Sequence, residues 1–235
     1  MPVLADPAPP DPLLLLQLLS GLLPVALLVV GIVLLRRWGI RRQRRRTEDR
    51  AGRLAPWARS HRFTLELGPR PDLPGRFPGV PYVGDSLAAV SSRVAWLVVS
   101  GWLHGLPLHL FELRCRVWHG TKARPYVFAV AALTLPQPVP TLVIKPRWLP
   151  NALGPEMPLP QRFFAAFEVQ VTDPAFRARV LTPGLMTWFV AALATGHEPW
   201  LRFEARRVLC CAVGTLRPDW ADAMLSMLRG VHRTL

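Results

Sequence analysis

Cysteine is scarce in this 235-residue chain. Cys115, Cys210 and Cys211 are odd in number and form no Cys-x-x-Cys pair, which excludes a disulfide-stapled scaffold and fits a reducing compartment. Lysine is nearly absent, so 27 of the 29 basic residues are arginine, and only 15 acids oppose them, leaving a net charge of +14. No Gly-x-x-x-x-Gly-Lys, Gly-x-Gly-x-x-Gly or Gly-x-Ser-x-Gly occurs, so neither a phosphate cradle, a dinucleotide turn nor a nucleophile elbow is announced, and no cofactor is expected. There is no internal repeat and no long low-complexity segment.

What the chain does have is one long apolar run, residues 13–35, followed by Arg36, Arg37, Arg41, Arg42, Arg44, Arg45 and Arg46. As a helix the run would reach ~34 Å, enough for a hydrocarbon core of about 30 Å. The positive-inside rule keeps the arginine side in the cytoplasm, and the tail 1–12, which carries Asp6 and Asp11 and no base, is light enough to cross. The expected order is therefore an extracytoplasmic tail (1–12), a single transmembrane helix (13–35), a basic juxtamembrane tract (36–50) and a cytoplasmic domain (51–235) at the plasma membrane. A cleaved signal peptide would carry its bases before the apolar stretch, with a small-residue cleavage site after it; the order here is the reverse.

Charge is concentrated beside that run. Residues 36–62 hold 11 arginines against Glu48 and Asp49, whereas 63–235 balance 18 bases with 11 acids. Anionic lipid attracts such a tract by about 1 kcal/mol per base near the surface, so the seven arginines are expected to contact lipid headgroups. A tract held against lipid is not free for nucleic acid, which is therefore not expected as a partner.

The remainder reads as one α+β domain with an antiparallel sheet and helices clustered toward the C-terminus. Leu54, Trp57 and Ala58 share one side of a short helix over 51–61, and the sheet begins at 63–67. Residues 68–81 are dense in Pro and Gly and are expected as an irregular loop. Two runs, 94–103 and 108–118, flank a hairpin turn at 104–107. In the second run His109, Phe111, Leu113, Cys115 and Val117 alternate with Glu112, Arg114 and Arg116, the pattern of a strand covered on one side. Residues 126–135 read as a central strand that 136–140 should break. Strands at 141–145 and 163–172 follow, with a Pro-rich connection between them. Asp173-Pro174 and Thr182-Pro183 each announce a helix, the second ended by Gly196. A closing hairpin over 200–213 and a last helix capped near Asp219 complete the order.

Chemistry is harder to find. Gly84-Asp85-Ser86-Leu87 spells the nucleophile block of the GDSL esterases, yet no histidine has an aspartate three residues before it, so a turn is the better expectation. His109, Cys115 and His119 share a strand face, but Cys115 and His119 would stand ~13 Å apart along an extended strand, too far for one zinc. Cys210 and Cys211 point to opposite faces of a strand and are expected as buried hydrophobes. Asp72, Asp85, Glu156, Glu168 and Glu204 are single carboxylates that a fold would have to pair. Trp96, Trp102, Trp118, Trp148 and Trp200 are expected mainly as core mass. No catalytic, cofactor-binding or metal residue is therefore named.

Several stretches together resemble a family of single-pass, membrane-anchored proteins of unknown function common in high-GC Gram-positive bacteria. They are Trp57 with Phe63, Leu73-Pro74-Gly75-Arg76-Phe77-Pro78-Gly79-Val80-Pro81, Leu133-Thr134-Leu135-Pro136-Gln137-Pro138-Val139-Pro140, residues 167–176, and Leu181-Thr182-Pro183-Gly184-Leu185-Met186-Thr187-Trp188. Such proteins often have glycine where this chain has Glu204-Ala205-Arg206. The resemblance implies a transmembrane helix, an arginine tract and a cytoplasmic α+β domain, and no activity. The expected function is thus a non-enzymatic module at the inner leaflet that binds a protein or lipid through the 68–81 and 137–161 loops. The alternative is a membrane-tethered hydrolase using Ser86 or a carboxylate pair.

Overall fold

The computed structural model describes residues 28–32, 34, 37–38, 45, 47–78, 90–119, 121–147 and 157–235. The chain divides into two units, Met1–Asp49 and Arg50–Leu235. In the first, the described residues are helical, and Leu28, Val29, Val30, Ile32 and Leu34 are exposed. Among the described residues no helix is long and apolar enough to cross a membrane. Most of the 13–35 run lies outside them, as do Arg36, Arg41, Arg42, Arg44 and Arg46, while Arg37 and Arg45 are exposed and helical.

The second unit opens with helix α1 (50–60), which buries Leu54, Trp57 and Ala58. It ends where Arg62 takes a left-handed φ of 59° and the Phe63 N–H donates back to the Ala58 carbonyl, closing the last carbonyls of the helix. There follow β1 (Thr64–Glu66), α2 (Leu73–Arg76), β2 (Val90–Leu103), β3 (Leu106–His119) and β4 (Lys122–Pro146). Then come α3 (Leu159–Ala166), β5 (Phe167–Val171), α4 (Pro174–Val180), α5 (Pro183–Ala194), β6 (Trp200–Val213) and α6 (Pro218–His232). The α+β class, antiparallel sheet and late helices are as the sequence predicts. His104 and Gly105, both at positive φ, form the two-residue turn joining β2 to β3.

Every pairing in the sheet is antiparallel, and β4 is its axis. From Phe128 to Leu133 it is flanked by β3 and β6; from Leu142 to Ile144 it is flanked by β5 and β6. Both faces are buried. On one, Leu108 and Leu110 of β3 join Ala129, Ala131 and Leu133 of β4 beneath residues of α1, α3, α4, α5 and α6. On the other, Phe111, Leu113, Cys115 and Val117 join Phe128, Val130 and Ala132, with Leu73 and Phe77 from and beside α2. The expectation that β3 is covered on one side is therefore corrected: Glu112, predicted on its open face, is fully buried. Alternation gave the faces rightly, but the helices that cover the second face come from distant sequence.

Other expectations are corrected as well, two of them where proline or glycine sits inside an element. The 68–81 stretch contains α2 and an Arg70–Ala95 bridge, so it is in part an element with core residues. Residues 136–140 do not break β4. Between Thr134 and Val139 the strand bulges against β6, and Arg206 donates to the Leu135 and Pro136 carbonyls, replacing ladder bonds. Opposite that bulge, Ala205 takes a φ of 51° within one continuous strand, so 200–213 is not a hairpin. Residues 159–166 are helical, and the strand begins only at Phe167. The N-cap of α6 is Arg217, with Asp219 in the first turn, whereas Asp173 and Thr182 cap α4 and α5 as predicted.

Gly101 of β2 is fixed by close approach. A Cβ there would stand 2.1 Å from Cδ1 of the buried Phe63 ring, which α1 and β1 hold in place. Gly101→Ala should cost about 1–3 kcal/mol of overpacking, read as a lower urea midpoint; an unchanged midpoint would show that Phe63 is free to move.

Candidate functional site

The turn between α4 and α5 and the last two turns of α6 enclose a cleft of about 450 Å³. Its position follows from local chemistry. Thr182 accepts a hydrogen bond from the Leu185 N–H at 3.2 Å, and Pro183 begins α5, so only Leu181 and Thr182 connect the two helices, and Val180 and Leu185 both line the cleft. Val180, Leu185, Met227 and Val231 are buried there and form an apolar floor. Trp188 is a rigid wall: its Nε1 donates to the Ala223 carbonyl at 3.0 Å, and its ring stacks on Trp220, which stacks in turn on His197. Around the mouth lie Thr182, Ser226 and Thr234 with Arg229 and Arg233, one helical turn apart. The lining includes no carboxylate, and neither arginine is in an ion pair among the described residues. No motif or spacing in the sequence marks this site. Its only trace was the pairing of a clear Thr-Pro cap with Trp188 and an arginine repeat in the last helix.

The candidates for acid–base chemistry are committed elsewhere. Asp72 and Glu66 both bind Arg70, whose guanidinium, hydrogen-bonded to Asp72, holds that carboxyl below its usual value. Glu168 pairs with Lys145 and accepts from Gln170, the bond that most lowers its pKa, and Glu204 pairs with Arg202. These carboxylates face cations, not one another. Asp85, Ser86 and Glu156 lie outside the described residues.

A Ser-His-Asp chain does occur at the join of α1 and α6, but its protons are wrongly placed. Ser60 Oγ donates to the Trp57 carbonyl at 2.7 Å, and His61 Nδ1 lies 2.9 Å from the same oxygen, which requires its proton there. That nitrogen is then closed to the serine proton, and Asp222, 3.5 Å from His61 Nε2, already accepts from Trp57 Nε1 at 2.8 Å. The group works as a clasp. A second pair, Ser100 with His109 at 3.0 Å, sits beside Phe77, and burial followed by the charges of Arg76 and Arg70 lowers the pKa of His109 below the ordinary histidine value.

Among the described residues no group of three or more His, Cys, Asp or Glu is gathered to hold a metal. Cys210 and Cys211 do face opposite cores, and both are buried; burial pushes the Cys115 thiol up to about 11 and holds the Cys210 thiol well above its ordinary value. Among the described residues the tryptophans singled out from the sequence take different surroundings. Trp200 is buried, Trp96 lies under the Arg114 guanidinium at 4.5 Å, Trp102 and Trp118 are exposed, and Trp148 is outside the described residues.

Glu112 is the most unusual group in the domain. It lies between Trp96 and Ala129 in the sheet register and is wholly enclosed. Its Oε1 is 3.0 Å from Arg50 Nε and accepts from the Leu216 N–H at 3.3 Å; its Oε2 accepts from Arg50 at 3.2 Å, with Arg114 at 3.7 Å. Burial nonetheless outweighs these partners and raises its pKa above the ordinary glutamate value.

No family model matches this chain, and no curated protein does. Among solved structures it is similar to the mycobacterial trehalose monomycolate transport factor A, TtfA, over 79% of this chain and 93% of that one. The TM-score is 0.52 at 20% identity, a likeness of fold.

The raised pKa of Glu112 fixes a sign. The folded state binds that proton more tightly than the unfolded chain, so stability falls as pH rises from the ordinary glutamate value through the raised one. Glu112→Gln should remove this slope. Urea midpoints of both proteins across pH 4 to 8 should show the wild type losing ground to the variant as pH rises; a gain instead would mean that the arginines outweigh burial.

Proposed function

We propose that this chain is a membrane-anchored, non-enzymatic binding module, held at the cytoplasmic face of the plasma membrane, that serves as an accessory factor to a membrane transport assembly. The observation that carries the reading is an arrangement. An apolar run of membrane-spanning length and an arginine tract precede a domain whose fold extends over 93% of the solved chain of TtfA, a protein described as a transport factor. The reading is also supported by the commitment of Glu66, Asp72, Glu168, Glu204 and Asp222 to cations or a structural donor. The cleft at α5 and α6, with an apolar floor and a cationic mouth, suits recognition of a ligand rather than its conversion.

In this reading residues 13–35 span the bilayer, and Arg36, Arg37, Arg41, Arg42, Arg44, Arg45 and Arg46 rest on anionic headgroups. The binding role moves from the two Pro-rich loops to the cleft, because part of each loop is built into the sheet or its second core.

Protease added outside intact cells should leave the 51–235 domain whole and degrade it once the membrane is permeabilised, with the chain recovered in the membrane fraction. Trimming of the C-terminal half in intact cells, or a mature product beginning beyond residue 35, would overturn the reading.

A further inference from the structure

We propose that the cleft between α5 and α6 binds a single-chain anionic amphiphile, its phosphate or carboxylate head on Arg229 and Arg233 and its hydrocarbon against Leu185, Met227, Val231 and Trp188. The inference rests on the binding-module reading above and gives it a ligand class. Two features of the cleft define that class. Its floor is apolar and fixed, since Leu185, Met227 and Val231 are buried in the main core and Trp188 is held by its bond to Ala223. Its mouth is cationic, since Arg229 and Arg233 stand at i and i+4 at the C-terminal end of α6 with no carboxylate in the lining and no ion pair among the described residues.

Two guanidinium groups with no acid partner favour an oxyanion, and Arg binds phosphate or carboxylate through paired N–H donors. An apolar floor beneath them favours a chain joined to that anion over a free ion. A cleft of about 450 Å³ falls within the size range of small-ligand sites, which admits one acyl chain and excludes a whole bilayer surface.

The test uses the full chain purified in a neutral maltoside detergent, a preparation that does not depend on the membrane span. The probe is a diazirine-bearing oleoyl lysophosphatidic acid, compared with the diazirine monooleoylglycerol that has the same chain and no charge. Labelled peptides are mapped by mass spectrometry. The anionic probe should label α5 and α6 at least about tenfold more than the neutral one, as expected for charge-assisted hydrogen bonds at two arginines. Arg229→Gln with Arg233→Gln should lower that labelling about tenfold, to the level of the neutral probe. Ser226→Trp, at an exposed position on the rim, should also lower it by filling the opening. Both variants change exposed or partly exposed side chains, and unchanged thermal melting confirms that they fold.

Equal labelling by the two probes, labelling elsewhere in the chain, or indifference to the arginine pair would overturn the proposal. Complete competition by millimolar inorganic phosphate would also overturn it, by assigning the site to a free oxyanion. Insertion of the same preparation into vesicles is scored separately. Failure to insert counts against the anchor and leaves the labelling result standing.

Discussion

One carboxylate, wholly enclosed at the middle of β3, joins three parts of the domain that are far apart in sequence. Glu112 takes Arg50 from the start of α1, Arg114 from its own strand and the backbone N–H of Leu216 ahead of α6. A buried charge is tolerated only when its partners are present, and removal of one partner from such a cluster typically costs about 3–5 kcal/mol. The position of α1 on the sheet is therefore specified by charge as well as by Leu54 and Trp57. Helix α1 is also the element that follows the arginine tract along the chain, so the residue that ends the basic segment is the one that locks into the domain.

The second constraint is the double burial of the sheet. With helices over one face and a smaller apolar cluster on the other, β4 is flanked on both edges and covered on both sides. Helix α5 packs through Phe189 on Phe163 and Phe167, and α6 packs through Met224 and Leu228 in the same core. The cleft lies where these two helices part, so its floor is an extension of the core and its mouth is open to solvent. That combination supports binding without conformational work.

Local features were legible in the sequence wherever the cause was local. The caps at Asp173 and Thr182, the stripe of α1 and the hairpin expected at 104–107, which the structure narrows to His104-Gly105, each depend on residues within one turn of one another. Features set by distant partners were not legible. Pro136 and Pro138 look like strand breakers until Arg206, some 70 positions away, is seen to satisfy the carbonyls of the bulge. Glu112 looks solvated until Arg50 is placed above it. The runs 200–204 and 208–213 read as the two arms of a hairpin, and only the pairing of Ala205 with Val139 shows one continuous strand, in which Ala205 takes a positive φ. The cleft was missed for the same reason: Trp188 and Arg229 are 41 positions apart, and no spacing links them.

The claim on which most of this depends is that Arg50 and Glu112 are energetically coupled. A double-mutant cycle with Arg50→Met and Glu112→Gln, read by urea unfolding at neutral pH, measures that coupling directly. An interaction energy of about 1–3 kcal/mol is predicted, with each single variant less stable relative to the double than additivity allows. Effects that add to within about 0.3 kcal/mol would mean that α1 is held by its apolar stripe alone, and would contradict the account.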